Sequence, residues 1–202
     1  MTDIYEFLDA NNVSYERHDH PAVFTVEESK KLSPELNGAS TKNLFLRDKK
    51  GIRHFLVTVP EDKKVDLKAL SSALDSSRLS FASPERLKTH LGIDPGSVSL
   101  LALANDRENN VEAFIDQEIW EDEAILCHPL VNTSTLVVPL KDMKLFLEKT
   151  GRTWPKFYEG QNSQIFLKPL NCSRHLRRSK KYYRFKGNFT NFTGGTSLFC
   201  IG

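Results

Sequence analysis

Residues 38 to 59 read GASTKNLFLRDKKGIRHFLVTV. Two apolar runs, Leu44-Phe-Leu46 and His54-Phe-Leu-Val-Thr-Val59, flank Asp48-Lys-Lys-Gly51. The runs are rich in β-branched and aromatic residues, and the group between them has the turn chemistry and length of a hairpin connection. An antiparallel pair is therefore expected here, with Lys42 and Asn43 where a polar segment enters the first strand. A cation at that point is either a solvated strand-end charge or a group aimed into a cleft to hold a phosphate or a carboxylate.

Outward from the hairpin, the pattern alternates between short helices and short strands. Ile4, Phe7 and Leu8 behind Asp3 predict an N-terminal amphipathic helix, and Val13 to Arg17 a strand. Thr25-Val-Glu-Glu28 has the form of a capping box and predicts a second helix. Asp66 is placed to cap a helix carrying Leu67, Leu70 and Leu74. Ser83-Pro84-Glu85 supplies a cap, a proline for the first turn and an acid, for a helix that stops at Gly92. Val98 to Leu103, Val111 to Ile115, Ala124 to Cys127 and Thr135 to Val138 are strand candidates. Leu140, Met143, Phe146 and Leu147 form one face of a last helix ending at Gly151. Strands outnumber helices without regular alternation, which points to an α+β fold: a mixed, largely antiparallel sheet with helices packed on it. No internal repeat, P-loop or Rossmann glycine fingerprint is present.

The 202 residues are 39% hydrophobic, enough for one substantial core. No run approaches the ~18 apolar residues of a membrane span, and the acid-interrupted N-terminus lacks a signal-peptide layout, so the expectation is a cytoplasmic protein without a membrane partner. Cys127, Cys172 and Cys200 show no paired spacing and are read as free thiols. The net charge of +2 hides an uneven distribution: residues 161–202 carry eight Lys and Arg and no acid, leaving −6 on the first 160. We therefore divide the chain into a domain over 1–158 and a basic extension over 159–202. That extension, with Tyr182, Tyr183, Phe185 and Phe189 among its cations, reads either as a disordered solubilising tail or as an RNA-tracking arm.

Three segments could carry chemistry. The first is the Lys42 strand entry. In Gly92-Ile-Asp-Pro-Gly-Ser-Val-Ser99 two glycines and a proline either end a helix in an ordinary turn or bring backbone amides to a developing oxyanion. In Cys127-His-Pro-Leu-Val-Asn-Thr-Ser134, His128 ends a strand and can orient a water or bind a hydroxyl. Cys127 and His128 are strand neighbours and point to opposite faces, so a thiol–imidazole nucleophilic pair is rejected. His18 and His20 lack the further ligands of a metal site, and neither a metal nor an organic cofactor is expected.

Four blocks, HPAVFTVEES from His20, the hairpin block from Gly38, LGIDPGSVSLLALAND from Leu91 and CHPLVNTSTLVV from Cys127, resemble in content and order the prolyl-tRNA synthetase-associated editing domain family. These are free-standing aminoacyl-tRNA deacylases related to the insertion domain of bacterial prolyl-tRNA synthetase. The resemblance implies hydrolysis of a wrongly attached amino acid, alanine first and cysteine as the rival, from tRNA(Pro). The partners it implies are the 3′ end of aminoacylated tRNA and, as a candidate, prolyl-tRNA synthetase. By that similarity Lys42 and Asn43 hold the terminal adenosine and its phosphate, His128 positions the substrate, and the loop opened by Gly96 meets the ester. Ser97, Val98, Ser99 and Asn132 are the remaining substrate-binding candidates. Relatives carry a proline where this chain has Leu100, which is expected to loosen that loop, and a catalytically silent RNA-binding protein of the same fold is the alternative function.

Overall fold

The structure is a computed structural model that describes residues 2–22, 36–153 and 167–172. In chain order these form α1 (Ile4–Ala10), β1 (Glu16–Asp19), β2 (Thr41–Arg47), β3 (His54–Pro60), α2 (Leu67–Ala73), β4 (Ser80–Phe81) and α3 (Pro84–Leu91). A 3-10 turn (Leu100–Ala104), β5 (Val111–Asp116), a second 3-10 turn (Gln117–Glu121), β6 (Ala124–Cys127), β7 (Ser134–Pro139), α4 (Leu140–Lys149), β8 (Arg152–Thr153) and β9 (Leu167–Cys172) follow. The helix expected from Thr25 lies outside the described residues, as does most of the basic extension. Six of the extension's residues form β9, which pairs with β5 and β8.

The local signals act as read. Asp3 and Asp66 accept backbone N–H groups at the starts of α1 and α2, and Ser83 does so for α3 with Pro84 as its first residue. Gly92 ends α3 in the left-handed region at φ 69°. The hairpin pairs Lys42 with Val59, Leu44 with Val57 and Arg47 with His54. Two expected strands differ: β1 runs Glu16–Asp19 where Val13 to Arg17 was expected, and Val98 to Leu103 forms no strand, Leu100–Ala104 being a 3-10 turn entered through an extended Ser99. All five residues of that turn are buried. A short run that is apolar on every side has no period to separate strand from helix, and Leu and Ala favour the helical form.

Two sheets result. One has the order β4-β2-β3-β5-β9-β8, antiparallel except for β3 with β5; the other is β1-β7-β6, antiparallel throughout. The fold is α+β, with the mixed, largely antiparallel pairing expected. The sheets are joined just before β2 by a parallel bridge between Ala39 and Ile125, with Ala39 N–H to Ala124 O at 2.9 Å and Leu126 N–H to Ala39 O at 3.0 Å. Gly38 makes this approach possible: at φ 142° a Cβ there would lie 3.0 Å from the Ala124 carbonyl oxygen.

The main core lies on one face of both sheets. It takes Phe45, Leu56, Ala113 and Ile115 from the larger and Ile125, Cys127, Leu136 and Val138 from the smaller, closed by α1, α3 and α4. The opposite face of the larger sheet holds Leu46, Phe55, Val57, Val59 and Phe114 against Leu70 and Leu74. These two lists fix which way each strand residue points.

At the hairpin-turn end, His54 is buried between His90, whose ring centre lies 3.9 Å away, and Phe45, stacked at 5.8 Å. Arg86 donates to its Nε2 at 2.9 Å. Burial, then His90 and Arg86, push the His54 imidazole down to about 4, while Asp48 opposes them. An unfolded histidine titrates near 6.5, so between those values the unfolded chain binds a proton that the folded chain refuses, and stability falls as pH drops. The full shift sets a ceiling of ~3 kcal/mol, which screening at the rim lowers to ~1–2 kcal/mol. Urea titrations at pH 7.5 and 4.5 should show that loss, and His54→Gln, which keeps an acceptor for Arg86, should flatten it.

Candidate functional site

Side-chain alternation along the strands decides what meets at the junction of the two sheets. In β2, Phe45 faces the main core and Leu46 the opposite face, so Lys42 projects on the Leu46 side, away from the main core. In β6, Ile125 and Cys127 face the main core, so His128, one residue past the strand, projects away from it too. The parallel bridge sets Ala39 opposite Ile125, three residues before Lys42 on one segment and three before His128 on the other. A bond from Thr41 Oγ1 to the Leu126 carbonyl at 3.1 Å holds the two segments together there. Lys42 and His128 therefore project to the same side, away from the main core. Lys42 is half-buried, and among the described residues no carboxylate lies within ion-pair distance of it.

His128 has a fixed tautomer. Its Nδ1 lies 3.1 Å from the Ser134 carbonyl, which can only accept, so Nδ1 carries the proton and Nε2 is left as an acceptor. Burial holds the imidazole below its ordinary range, helped by the neighbouring His20, while the Ser134 bond works against them. The ring is thus neutral near pH 7 and presents a lone pair.

A second imidazole faces it. His20 is 9% exposed, and its ring centre lies 6.4 Å from that of His128. Its Nδ1 donates to the Pro21 carbonyl at 2.8 Å, and its Nε2 accepts from the Thr135 hydroxyl at 3.0 Å. In β7 Leu136 and Val138 face the core, so Thr135 points to the Lys42 side. His20, Thr135 and His128 form one polar group at the ends of β1, β7 and β6, on the side to which Lys42 also projects. Sequence reading weighed His20 only as a metal ligand. The signal that could have found it is the repeated His-Pro pair: His20-Pro21 and His128-Pro129 each end a strand, where proline stops the pairing and leaves the histidine at the last position.

The other candidates differ in their surroundings. Asn43 falls on the main-core face, opposite to Lys42, and its Oδ1 accepts from Thr58 Oγ1 at 2.7 Å, which leaves its NH₂ as the group on offer. Gly96 (φ 88°) is the third residue of a turn closed by Ser97 N–H to Asp94 O at 3.2 Å, with Pro95 second, the pattern of a type II turn. Val98 packs on the main core, and Ser99 is buried and accepts from Leu101 N–H at 3.2 Å. None of the hydrogen bonds of residues 96–99 among the described residues reaches Lys42 or His128. Leu100 is fully buried and opens the 3-10 turn, so packing fixes this end of the loop where a proline would fix it by φ. Asn132 lies half-buried in the loop after His128, where Leu130 is held at φ 65° by its packing on the main core.

Among the described residues no group of three or more His, Cys, Asp or Glu is placed to hold a metal ion, and no helix is long and apolar enough to cross a membrane. A cavity of ≈ 520 Å³ opens at the far end of β6, beside Asn37, Gly38, Asp122, Glu123, Val137 and Pro139. Its lining has two carboxylates and no cation, a poor seat for phosphate. Cys127 is 3% exposed, and burial raises its thiol to about 12, which removes the thiolate a nucleophile needs. In native protein treated with iodoacetamide at pH 8, peptide mapping should find Cys127 unmodified, and it should be alkylated once the chain is unfolded in guanidinium.

A family model described as the aminoacyl-tRNA editing domain matches residues 20–146. A prolyl-tRNA editing protein, ProX, of Acetoanaerobium sticklandii is 36% identical over 147 residues, covering 73% of this chain and 90% of that protein. Prolyl-tRNA synthetase associated domain-containing protein 1 of Danio rerio is 39% identical over 153 residues, 75% of this chain and 83% of that one. A solved structure of a candidate trans-editing enzyme for prolyl tRNA synthetase shares the fold, with a TM-score of 0.55 at 16% identity over 71% of this chain and 88% of that one. A match across both histidine strand ends, the hairpin and the glycine loop makes this chain a member of the aminoacyl-tRNA editing domain family.

Proposed function

We propose that the chain is a free-standing aminoacyl-tRNA deacylase that clears alanine from mischarged tRNA(Pro). What supports this reading is that Lys42, with no carboxylate partner among the described residues, and His128, a neutral imidazole of fixed tautomer, project to the same side of segments joined at the Ala39–Ile125 bridge. A synthetase pocket shaped for proline cannot reject the smaller alanine, because each methylene of lost contact costs only ~1–3 kcal/mol. A second, smaller hydrolytic site can exclude proline by size.

In this reading Lys42 holds the phosphate of the terminal nucleotide and thereby places the ester. His128 Nε2 accepts a hydrogen bond from the attacking water or from a ribose hydroxyl and orients it. Water adds to the ester carbonyl, the tetrahedral oxyanion collapses, and the ribose oxygen leaves with a proton, giving free alanine and tRNA. An aminoacyl ester is already activated, so orientation and oxyanion stabilisation suffice without a covalent nucleophile. The N–H of Gly96, which no described acceptor takes, is the donor assigned to the oxyanion. His20 and Thr135 steady the strand from which Ser134 holds His128.

The test is a panel of tRNA(Pro) carrying alanine, cysteine or proline. The alanyl ester should be cleared far above its spontaneous rate and the prolyl ester spared. Preference for the cysteinyl ester would change the substrate. Tight tRNA binding with every ester decaying at the buffer rate would make the protein a silent binder.

A further inference from the structure

The hairpin-turn end of the larger sheet carries charge of the wrong sign for the body it belongs to. Residues 47–53 and 75–81 hold Arg47, Lys49, Lys50, Arg53 and Arg78 against Asp48 and Asp75, a net +3, whereas the first 160 residues together carry −6. The two segments are contiguous in space: Arg47 pairs with Ser80, Leu46 with Phe81, and Lys49 N–H donates to Ser77 Oγ at 3.1 Å. Arg53 is taken by Glu112 and Asp48 by backbone N–H groups. Lys49, Lys50 and Arg78 are exposed, and no carboxylate pairs with any of them among the described residues. In their midst Phe81 is 63% exposed on the edge strand β4.

Directly opposed residues in an antiparallel pair share a face, so Phe81 lies on the Leu46 side of the sheet, the side of Lys42. Four residues of β2 separate the level of Lys42 from that of Phe81, ~13 Å along the strand, and one strand spacing of ~5 Å lies across it. Leu46 between them is buried under Leu70 and Leu74, so a strand of RNA passes around that cover and ~14 Å, the length of about four stacked nucleotides at ~3.4 Å each, is its least span. A tRNA ends in four unpaired nucleotides before its acceptor stem begins.

Resting on the deacylase reading for the position of the terminal nucleotide, we infer that this surface is the seat of the acceptor end of tRNA. The ring of Phe81 stacks on an unpaired base near the head of the stem, and Lys49, Lys50 and Arg78 meet the first phosphates of the stem. Exposed aromatic rings set among cations bind single-stranded nucleic acid through stacking and phosphate contact together. Such an island on a body of net −6 over its first 160 residues also biases the direction of approach.

Two variants test this, Phe81→Ala and the triple Lys49→Ala/Lys50→Ala/Arg78→Ala, with thermal melts to confirm folding. For uncharged tRNA(Pro), the triple variant should bind ~10–50-fold more weakly at 0.1 M salt, and its slope of log K against log salt should be shallower by up to ~3. Phe81→Ala should lose ~10-fold with an unchanged salt slope, and Phe81→Tyr should restore binding. Hydrolysis of 3′-alanyl-adenosine, too short to reach the patch, should stay within about twofold of wild type in every variant. Wild-type affinity and salt slope in both the triple variant and Phe81→Ala would overturn the assignment, even if alanyl-tRNA is hydrolysed normally. Patch-dependent tRNA binding by a wild-type protein that hydrolyses neither ester would instead sink the deacylase reading and leave this surface standing.

Discussion

Lys42→Ala should leave a protein that melts like the wild type and hydrolyses alanyl-tRNA(Pro) ~10²–10³-fold more slowly in kcat/KM, the loss seen when one charge-stabilising donor is removed from a preorganised site. Stability should survive because the ammonium group has no ion-pair partner among the described residues to leave behind. The pairing of Lys42 with Val59 is made by backbone, which alanine retains. Lys42→Met, which keeps the apolar stem, should be as inactive as Lys42→Ala, because charge and not packing is the working part. Lys42→Arg should recover part of the rate, since a guanidinium binds phosphate but presents a wider, planar head. Single-turnover rates against enzyme concentration would separate weakened binding from slowed chemistry. Turnover by Lys42→Ala within about threefold of wild type would remove the lysine from the mechanism and with it the main support for the proposed function.

Much of the fold was legible because its decisive signals are local. Asp3, Asp66, Ser83-Pro84 and Gly92 each act within one helical turn of themselves, and the hairpin's register follows from a short turn between two strands. What sequence could not supply was the junction. Ala39 meets Ile125 across a long separation in the chain, and nothing in either segment names the other. That bridge, with the bond from Thr41 to the Leu126 carbonyl, is what relates the Lys42 segment to the His128 segment. One part was within reach and was missed. Residues next to each other in a strand point to opposite faces, which was used to separate Cys127 from His128. It applies equally to Lys42 and Asn43, and the bond from Thr58 to Asn43 is its result. The run Leu100–Ala104 misled for a different reason, since a segment buried on all sides offers no amphipathic contrast.

The largest stability effect should come from a residue that no function requires. Asp106 follows the first 3-10 turn and is 5% exposed. Its Oδ1 accepts from Asn110 N–H at 2.9 Å, and its Oδ2 from Val111 N–H at 2.9 Å and from Arg152 Nη2 at 2.6 Å. Arg152 is itself 1% exposed, and its Nη1 donates to the carbonyls of Leu103 and Thr150 at 3.4 and 3.5 Å. Asp106→Ala would take from the buried Arg152 guanidinium its carboxylate at 2.6 Å and orphan two N–H groups at the start of β5, the central strand beside β3. Removing one member of a buried pair costs ~3–5 kcal/mol, and urea denaturation should show a loss in that range. Asp106→Asn retains an acceptor for the backbone and should cost less. The double variant Asp106→Asn/Arg152→Met buries no charge, so it should be more stable than Asp106→Ala despite carrying two changes. If the double variant instead loses the sum of its two single losses, the pair is not coupled, and the destabilisation belongs to packing around β8.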